Sequence, residues 1–384
     1  MQYYRITAEL QSPLIIQQNR QSNSSENLPF LPGSSLRGAL AAQFLRNGGN
    51  SGQEEFRQLF IEDPLYFPNL LPAGRNKTIP KILPLTSVSC KREAGFLAQN
   101  KHGVVDLLAS NLKERMFEQT TDDKICEKCR QDMKSIGGFW NGDTTSPEHF
   151  RPSMLYQRHT GIDRVTGTVA ESVFFIRQSL ADYFRDSETG QYKRQWLSGG
   201  IYLNNLQRSL LEPLLETPVF AGADRTSGMG ELQLSVDEAS ELAPTFDIGK
   251  WDSHFKKKLA DLGVGDLPQG KYFSINLESD AILVDQFLRP APQLELDLEG
   301  VQLVAQFTKA KTIRGWQSSW GLPKHDDIGF TMGTVFLFRY SGSSQQSLNQ
   351  YLGAKLISGI GLRREEGFGK ISICNPVHTI KEVI

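Results

Sequence analysis

Residues 222–230 read Gly222-Ala223-Asp224-Arg225-Thr226-Ser227-Gly228-Met229-Gly230, and residues 361–369 read Gly361-Leu362-Arg363-Arg364-Glu365-Glu366-Gly367-Phe368-Gly369. Both fit G-x-x-R-x-x-G-x-G. An alternating run follows each, Glu231 to Ser235 and Lys370 to Cys374. A motif repeated with the same continuation predicts two related domains. Glycine admits positive φ and close approach of another group to the backbone. Free amides beside an arginine suit a phosphate chain. One copy alone reads as a glycine-rich hairpin that turns a corner. Two copies at equivalent places point to a nucleic-acid-facing role, with Gly222, Arg225, Gly228, Arg363, Arg364 and Gly367 as candidate contacts.

Working outward, each motif closes a segment that opens on an alternating strand. Tyr4, Ile6, Ala8 and Leu10 alternate with polar residues, as do Phe273, Ile275 and Leu277. After the first strand and a polar loop, Gly33-Ser34-Ser35 precedes Leu36, Leu40 and Phe44, an apolar helix stripe. Ser34 or Ser35 is the expected N-cap. With Gly33 and Arg37 they would make a helix N-terminus that attracts phosphate; a plainly capped helix with a surface arginine fits the same residues. Residues from about 62 to 155, with Pro64, Pro68, Pro72, Pro80 and Pro84, read as an irregular insertion. A helix with Trp251, Phe255, Leu259 and Leu262 reads as a linker over 241–270, and Lys256, Lys257 and Lys258 as its solvated face. The expectation is an α+β protein: two ferredoxin-like domains, 1–240 and 271–384, with the insertion in the first.

The chain has 384 residues, 39% of them hydrophobic, and a formal net charge of −1. That excludes a free-standing basic nucleic-acid binder and fits a subunit of a larger assembly. No apolar run approaches the ~18 residues of a membrane span, and Met1 to Leu10 lacks a signal-peptide core, so a cytoplasmic protein is expected. Four cysteines are too few for a disulfide scaffold. Cys126 and Cys129 form a CxxC, and Cys90 and His102 lie upstream in the same insertion. Together they would complete a tetrahedral structural zinc site, with His149 as a substitute fourth ligand; unligated or redox thiols are the alternative. A zinc ion would staple a segment too irregular to fold by burial alone. Cys374 is expected to be a buried thiol.

RNA binding needs cations and stacking surfaces. Lys309, Lys311 and Arg314 precede Trp316 and Trp320. Arg158, His159 and Arg164 form a second set, and Lys91 with Arg92 a weaker one. A solvated cationic face beside core aromatics is the alternative for each.

Phe30-Leu31-Pro32-Gly33-Ser34-Ser35-Leu36-Arg37-Gly38-Ala39-Leu40 resembles the PGSSLRGAL element of the RAMP superfamily, the repeat-associated proteins of CRISPR systems. His159 to Glu171, with Ile162-Asp163-Arg164 and Thr166-Gly167, resembles the IDRxTGxA element of RAMPs in type III effector complexes. The closing glycine-rich loop resembles that of the superfamily. The tandem arrangement and length are most similar to the large RAMP of subtype III-D. The resemblance implies RRM-like, ferredoxin-like domains and a role in antiviral defence. It implies guide RNA, other RAMP subunits, the large polymerase-like subunit and, through the complex, target RNA as partners. RAMPs that cut target RNA carry an aspartate between the first strand and the PGSSLRGAL helix. Here Ser12 to Leu28 contains none, its only acid being Glu26. RAMPs that process guide precursors place a histidine early in domain one, and none precedes His102. A non-catalytic subunit is therefore expected. An RNase using His159 or His325, or a zinc-stapled scaffold without RNA contact, stands as the alternative.

Overall fold

The first strand, β1 (Gln2–Leu10), carries the alternation read from sequence and sits in the middle of a sheet. The computed structural model describes residues 1–17, 27–62, 65–74, 78–117, 125–186, 189–317, 320–380 and 384, and among these the side chains of 116, 117 and 170–173 are not described. Glu26, Pro64 and the flank Thr121 to Lys124 therefore lie outside the described residues, as does the side chain of Glu171. By contacts the chain divides into Met1–Ile79, Arg151–Leu242 and Arg314–Asp326 as one unit, and Pro80–Phe150, Ala243–Ile313 and Asp327–Ile384 as another. Most of the insertion read from sequence thus belongs with the second unit. Among the described residues no helix is long and apolar enough to cross a membrane.

In the first unit, β1 is followed by α1 (Gly33–Arg46), β2 (Leu71–Ala73), a long hairpin of β3 (Met154–Ile162) and β4 (Val169–Leu180), β5 (Trp196–Leu203), α2 (Asn205–Leu211), β6 (Val219–Phe220) and β7 (Glu231–Glu238). The sheet order is β6-β7-β1-β5-β2, all antiparallel. Ile6 faces Gly199 on one side and Val236 on the other. At Gly200 the Tyr3 ring occupies the space of a side chain: a Cβ there would lie 1.8 Å from the Tyr3 hydroxyl, so a larger residue would displace the tyrosine. Leu36 and Leu40 of α1 are fully buried against Tyr4, Ile6 and Leu10. The expected serine cap is not used. Pro32 is the N-cap residue, since Leu31 is held to Leu70 by two backbone hydrogen bonds and the helix starts at Gly33.

The second unit contains α3 (Ile248–Asp261), β8 (Lys271–Leu277), β9 (Val301–Phe307), a hairpin of β10 (Ala310–Ile313) and β11 (Asp327–Phe330), β12 (Val335–Tyr340), α4 (Gln345–Ser358) and β13 (Ile371–Ile373). Its sheet order is β9-β12-β8-β13. Counting the first, second, third and fourth main strands of each unit, both sheets run 4-1-3-2. In both units the extra hairpin falls between strands two and three. Helix α3 is a core helix of this unit rather than a linker: Trp251, Phe255 and Leu259 are buried with Tyr272, Phe273 and Phe336, and Leu108, Ala109 and Leu112 of the helix Leu108–Phe117 join the same cluster.

A buried polar knot fastens residues 80–150 to the rest of this unit. Asp106 accepts from His378 Nδ1 at 2.9 Å and from the Thr86 hydroxyl, while His378 Nε2 lies 2.8 Å from Asn276 Nδ2. Lys258 is buried, not solvated as its run of three predicts. Its Nζ donates to the carbonyls of Asp106 and His378 at 3.3 and 3.2 Å. Burial alone would raise the Asp106 carboxyl. The charge and hydrogen bond of His378, then Lys258 and Thr86, outweigh it and hold the carboxyl well below the usual carboxylate range. A carboxylate with a depressed folded pKa contributes stability above its unfolded value and loses it as pH falls through the folded one. Asp106→Asn should therefore cost about 3–5 kcal/mol at neutral pH, because it leaves a buried imidazole and ammonium without their counter-charge. Denaturant melts at pH 7 and at pH 3 check this: the difference between parent and variant should shrink at the lower pH.

Candidate nucleic-acid interface and metal cluster

The two glycine-rich loops have the same backbone. Gly222, Asp224, Gly228 and Gly230 have φ of 80°, 58°, 78° and 81°; Gly361, Arg363, Gly367 and Gly369 have 75°, 56°, 92° and 70°. Ala221 N donates to Gly230 O and Ile360 N to Gly369 O, both at 2.9 Å. Gly230 N reaches Pro13 O, as Gly369 N reaches Asp280 O. Ala223 N reaches Ile15 O, as Leu362 N reaches Ile282 O. A Cβ on Gly230 would lie 1.9 Å from Ala221 O, and one on Gly369 1.8 Å from Ile360 O. The glycines are thus required by the loop's own closure. The amides of 221, 223, 227, 228, 229 and 230 donate to carbonyls of the chain, so these are not the free amides the sequence invites one to expect.

What the loops offer to a ligand is their arginines, and here the units differ. Arg225 is exposed, and Asp224 beside it pairs with Arg177 of β4 at 3.2 Å. In the second loop Arg363 occupies the place of Asp224 and pairs with Asp327 at 3.0 Å and Glu366 at 2.7 Å, with its guanidinium 4.9 Å over Phe368. Arg364 is half-buried and donates to Ser358 O.

The hairpin pinned by Arg177 is the main feature that sequence reasoning missed. Tyr156, Ile162, Val165, Val169, Phe174, Phe175 and Ile176 are all exposed on it. His159 stacks on Phe175 with centroids 4.9 Å apart and planes 10° from parallel. Arg158 and Arg164 are exposed on the same hairpin. Its tip is built by Asp163, whose Oδ1 accepts from the amides of Val165 and Thr166 at 2.8 and 2.9 Å; those bonds hold its carboxyl below the usual range. A shallow cleft of about 130 Å³ lies between this hairpin and the loop, lined by Ile15, Phe175, Arg177 and Asp224.

Other candidate residues are spoken for. Gly33 N is taken by Asn69 Oδ1 at 2.9 Å, and Arg37 donates to Phe60 O at 2.7 Å, with Ser34 and Ser35 in the first helical turn. Lys311 pairs with Asp280 at 2.5 Å and Arg314 with Asp326 at 3.2 Å, while Trp316 is exposed.

Cys90, His102, Cys126 and Cys129 converge, with their ligand atoms all within 4.8 Å of one another. Cys90 Sγ is 3.4 Å from Cys129 Sγ, and Cys126 Sγ is 3.5 Å from His102 Nδ1. A tetrahedral ion with Zn–S near ~2.3 Å and Zn–N near ~2.0 Å needs separations of roughly 3.5–3.8 Å, so the quartet fits with small adjustments. His149 is not part of it; its Nε2 lies 3.1 Å from Gly137 O. The Cys126–Cys129 turn is closed by Arg130 N to Cys126 O and Cys126 N to Gln131 O. Burial pushes the Cys90 thiol up, but the amides of Glu93 and Arg92 and hydrogen bonds with Cys129 and His102 bring it down to about 6. Cys374 lies outside the cluster, and burial pushes its thiol up to about 12.

Gly230→Ala or Gly369→Ala should abolish folding or cost more than about 4 kcal/mol, since backbone would have to move. At Gly228 nothing lies within 4 Å of a Cβ, so Gly228→Ala should cost only about 1 kcal/mol of left-handed strain. Thermal melts of the three variants separate the two cases.

No curated protein matches the chain by sequence. Among solved structures, a chain of the type III-B Cmr-beta complex bound to cognate target RNA and AMPPnP is 12% identical, with 97% of this chain and 99% of that one covered and a TM-score of 0.39. Oligomeric Cmr4 from Pyrococcus furiosus is 11% identical, covering 62% of this chain and 99% of that one, with a TM-score of 0.26. Likenesses this loose fix neither the function nor the subunit. The RAMP superfamily profile, in contrast, matches residues 7–233, which takes in the end of β1, the Pro32–Leu40 element, the β3–β4 hairpin and the first glycine-rich loop, more than half of the 384 residues. The chain belongs to the RAMP superfamily.

Proposed function

We propose that this RAMP is a non-catalytic subunit that holds guide RNA in a type III CRISPR effector complex, of subtype III-D. The observation that carries the reading is the surface of the first unit. There an exposed arginine on the glycine-rich loop, Arg225, is pinned through the Asp224–Arg177 ion pair to a hairpin that presents Arg158, Arg164 and the His159–Phe175 stack. Cations neutralise phosphates and aromatic faces accept bases, the two elements of single-stranded RNA binding. A net charge of −1 suits a protein that does this inside an assembly rather than alone. Both units are ferredoxin-like in this reading, supported by the shared 4-1-3-2 strand order and the shared loop geometry. The subtype follows the tandem arrangement and the length, and by analogy the position is the one that grips the guide's 5′ end beside the large polymerase-like subunit.

The absence of catalysis rests on residue chemistry. The first-strand loop, Ser12 to Leu28, has no aspartate. His159 is engaged in stacking, and His378 is sealed in the buried knot with Asp106. The metal quartet holds zinc in this reading. Four protein ligands leave no position for water or substrate, so the ion acts as a staple for residues 80–150, whose apolar cluster is small: Leu83, Phe96, Val104, Ile136 and Trp140, joined by Val377 from the C-terminal segment.

The chain tagged in its native host should carry guide RNAs that share a repeat-derived 5′ end, together with other RAMP subunits. Replacing Arg158, Arg164 and Arg225 together with alanine should weaken guide retention and lower the log–log salt slope by about 2, at roughly 0.7 per phosphate contact on a single strand. An unchanged slope sinks the interface. Purified protein should contain about one zinc per chain. Cys129→Ser should release it and lower the melting temperature by several degrees, measured by metal analysis and calorimetry.

A further inference from the structure

After β8 the second unit makes a tight turn over residues 284–290. Val284 and Pro290 bridge its base, Asp285 N donates to Arg289 O at 2.9 Å, and Leu288 N donates to Asp285 O at 3.0 Å. The Asp285 carboxylate fills the turn. Its Oδ1 accepts from the amides of Phe287 and Arg289 at 2.9 and 3.0 Å, and its Oδ2 accepts from Arg289 Nε at 2.8 Å and Nη2 at 2.7 Å. The guanidinium in turn lies 5.0 Å over the Phe287 ring. This frame holds Leu288 at φ 59°, a left-handed conformation that a bulky L-residue rarely takes. It also leaves two adjacent large apolar side chains in solvent, Phe287 at 68% and Leu288 at 74% exposure. A single exposed leucine needs no explanation. A strained turn fixed from inside that displays two such side chains together does.

We propose that Phe287 and Leu288 are a preformed anchor that inserts into an apolar pocket on a neighbouring protein subunit. The charge of Arg289 is cancelled by Asp285, so the tip is close to neutral and offers a polyanion little electrostatic gain. Leu288 has no π face on which a base could stack. An aromatic and an aliphatic side chain backed by an arginine match the composition of protein-interface hot spots. Because the turn is already rigid, docking orders little that was free. The inference rests on the assembly reading above only for the presence of a neighbouring subunit.

The test uses the full chain in its native host, with photoreactive p-benzoylphenylalanine in place of Phe287, irradiated in the gently purified assembly. The expected product is a crosslink to a peptide of one co-purifying protein. Phe287→Ala and Leu288→Gly should each weaken association with that purified protein at least about tenfold. Leu288→Gly should melt no lower than the parent, because glycine accepts the left-handed backbone. A crosslink to RNA, no protein crosslink, or unchanged affinity overturns the proposal. Guide RNA present without a protein crosslink would sink this inference and leave the assembly reading standing. A protein crosslink without any RNA would do the reverse, and a chain that purifies alone overturns both.

Discussion

The closure of each glycine-rich loop against the segment that leaves the first strand of its unit is the constraint on which both sheets depend. Gly230 N bonds to Pro13 O, and Gly369 N bonds to Asp280 O. Through these bonds the last strand is set beside the first, and the loop's remaining geometry follows. Backbone packs on backbone at under 2 Å from where a Cβ would sit, so the two outer glycines cannot be exchanged. A motif that looks like a ligand cradle is, at those positions, a hinge between strands. This separates two roles that the sequence merges: the glycines build both loops, and only in the first does the arginine between them face outward.

How much of this was legible in the chain depended on how local each interaction is. The first strands, the Gly33–Arg46 helix and the metal quartet were readable, because periodicity and short spacings report contacts between near neighbours. The helix Ile248–Asp261 was recognised as amphipathic but misread as a linker, since periodicity shows that a face is apolar and not what covers it. Lys258 was misread for a related reason: its long apolar stem lets one member of a lysine run turn inward to carbonyls. The pairing of Asp106 with His378 spans 272 positions and carries no sequence signal at all. Nor did the exposed apolar residues of the β3–β4 hairpin announce themselves. Phe174 and Phe175 are exposed because the hairpin pairs only with itself, as a two-stranded sheet, which a local apolar run does not report.

The cations illustrate why charge counts alone are a weak guide to an interface. Lys311, Arg314 and Arg363, all attractive as phosphate contacts, are each within 3.2 Å of a carboxylate oxygen of the chain itself. Such a cation brings no counterion to release, so its worth to an RNA backbone is reduced. Local pairing of this kind removes candidates that a charge count would include, and Arg158, Arg164 and Arg225 remain as exposed arginines around the first loop and its hairpin.

The two loops diverge at one equivalent residue. At the third position of the motif the first loop has Asp224 and the second has Arg363; each takes the same left-handed φ and each is bonded to the opposite charge on the hairpin of its own unit. The attachment of loop to hairpin is kept while its polarity is reversed. In the first unit the negative residue is the one consumed, so Arg225 beside it remains exposed. In the second the positive residue is consumed, and Arg364 beside it turns back to the Ser358 carbonyl. One backbone device thus leaves a cation facing solvent in one unit and ties its cations into the fold in the other. On the proposed RNA-holding reading, Arg225 is the loop cation open to a phosphate, whereas Arg363 and Arg364 are already bonded within their own unit.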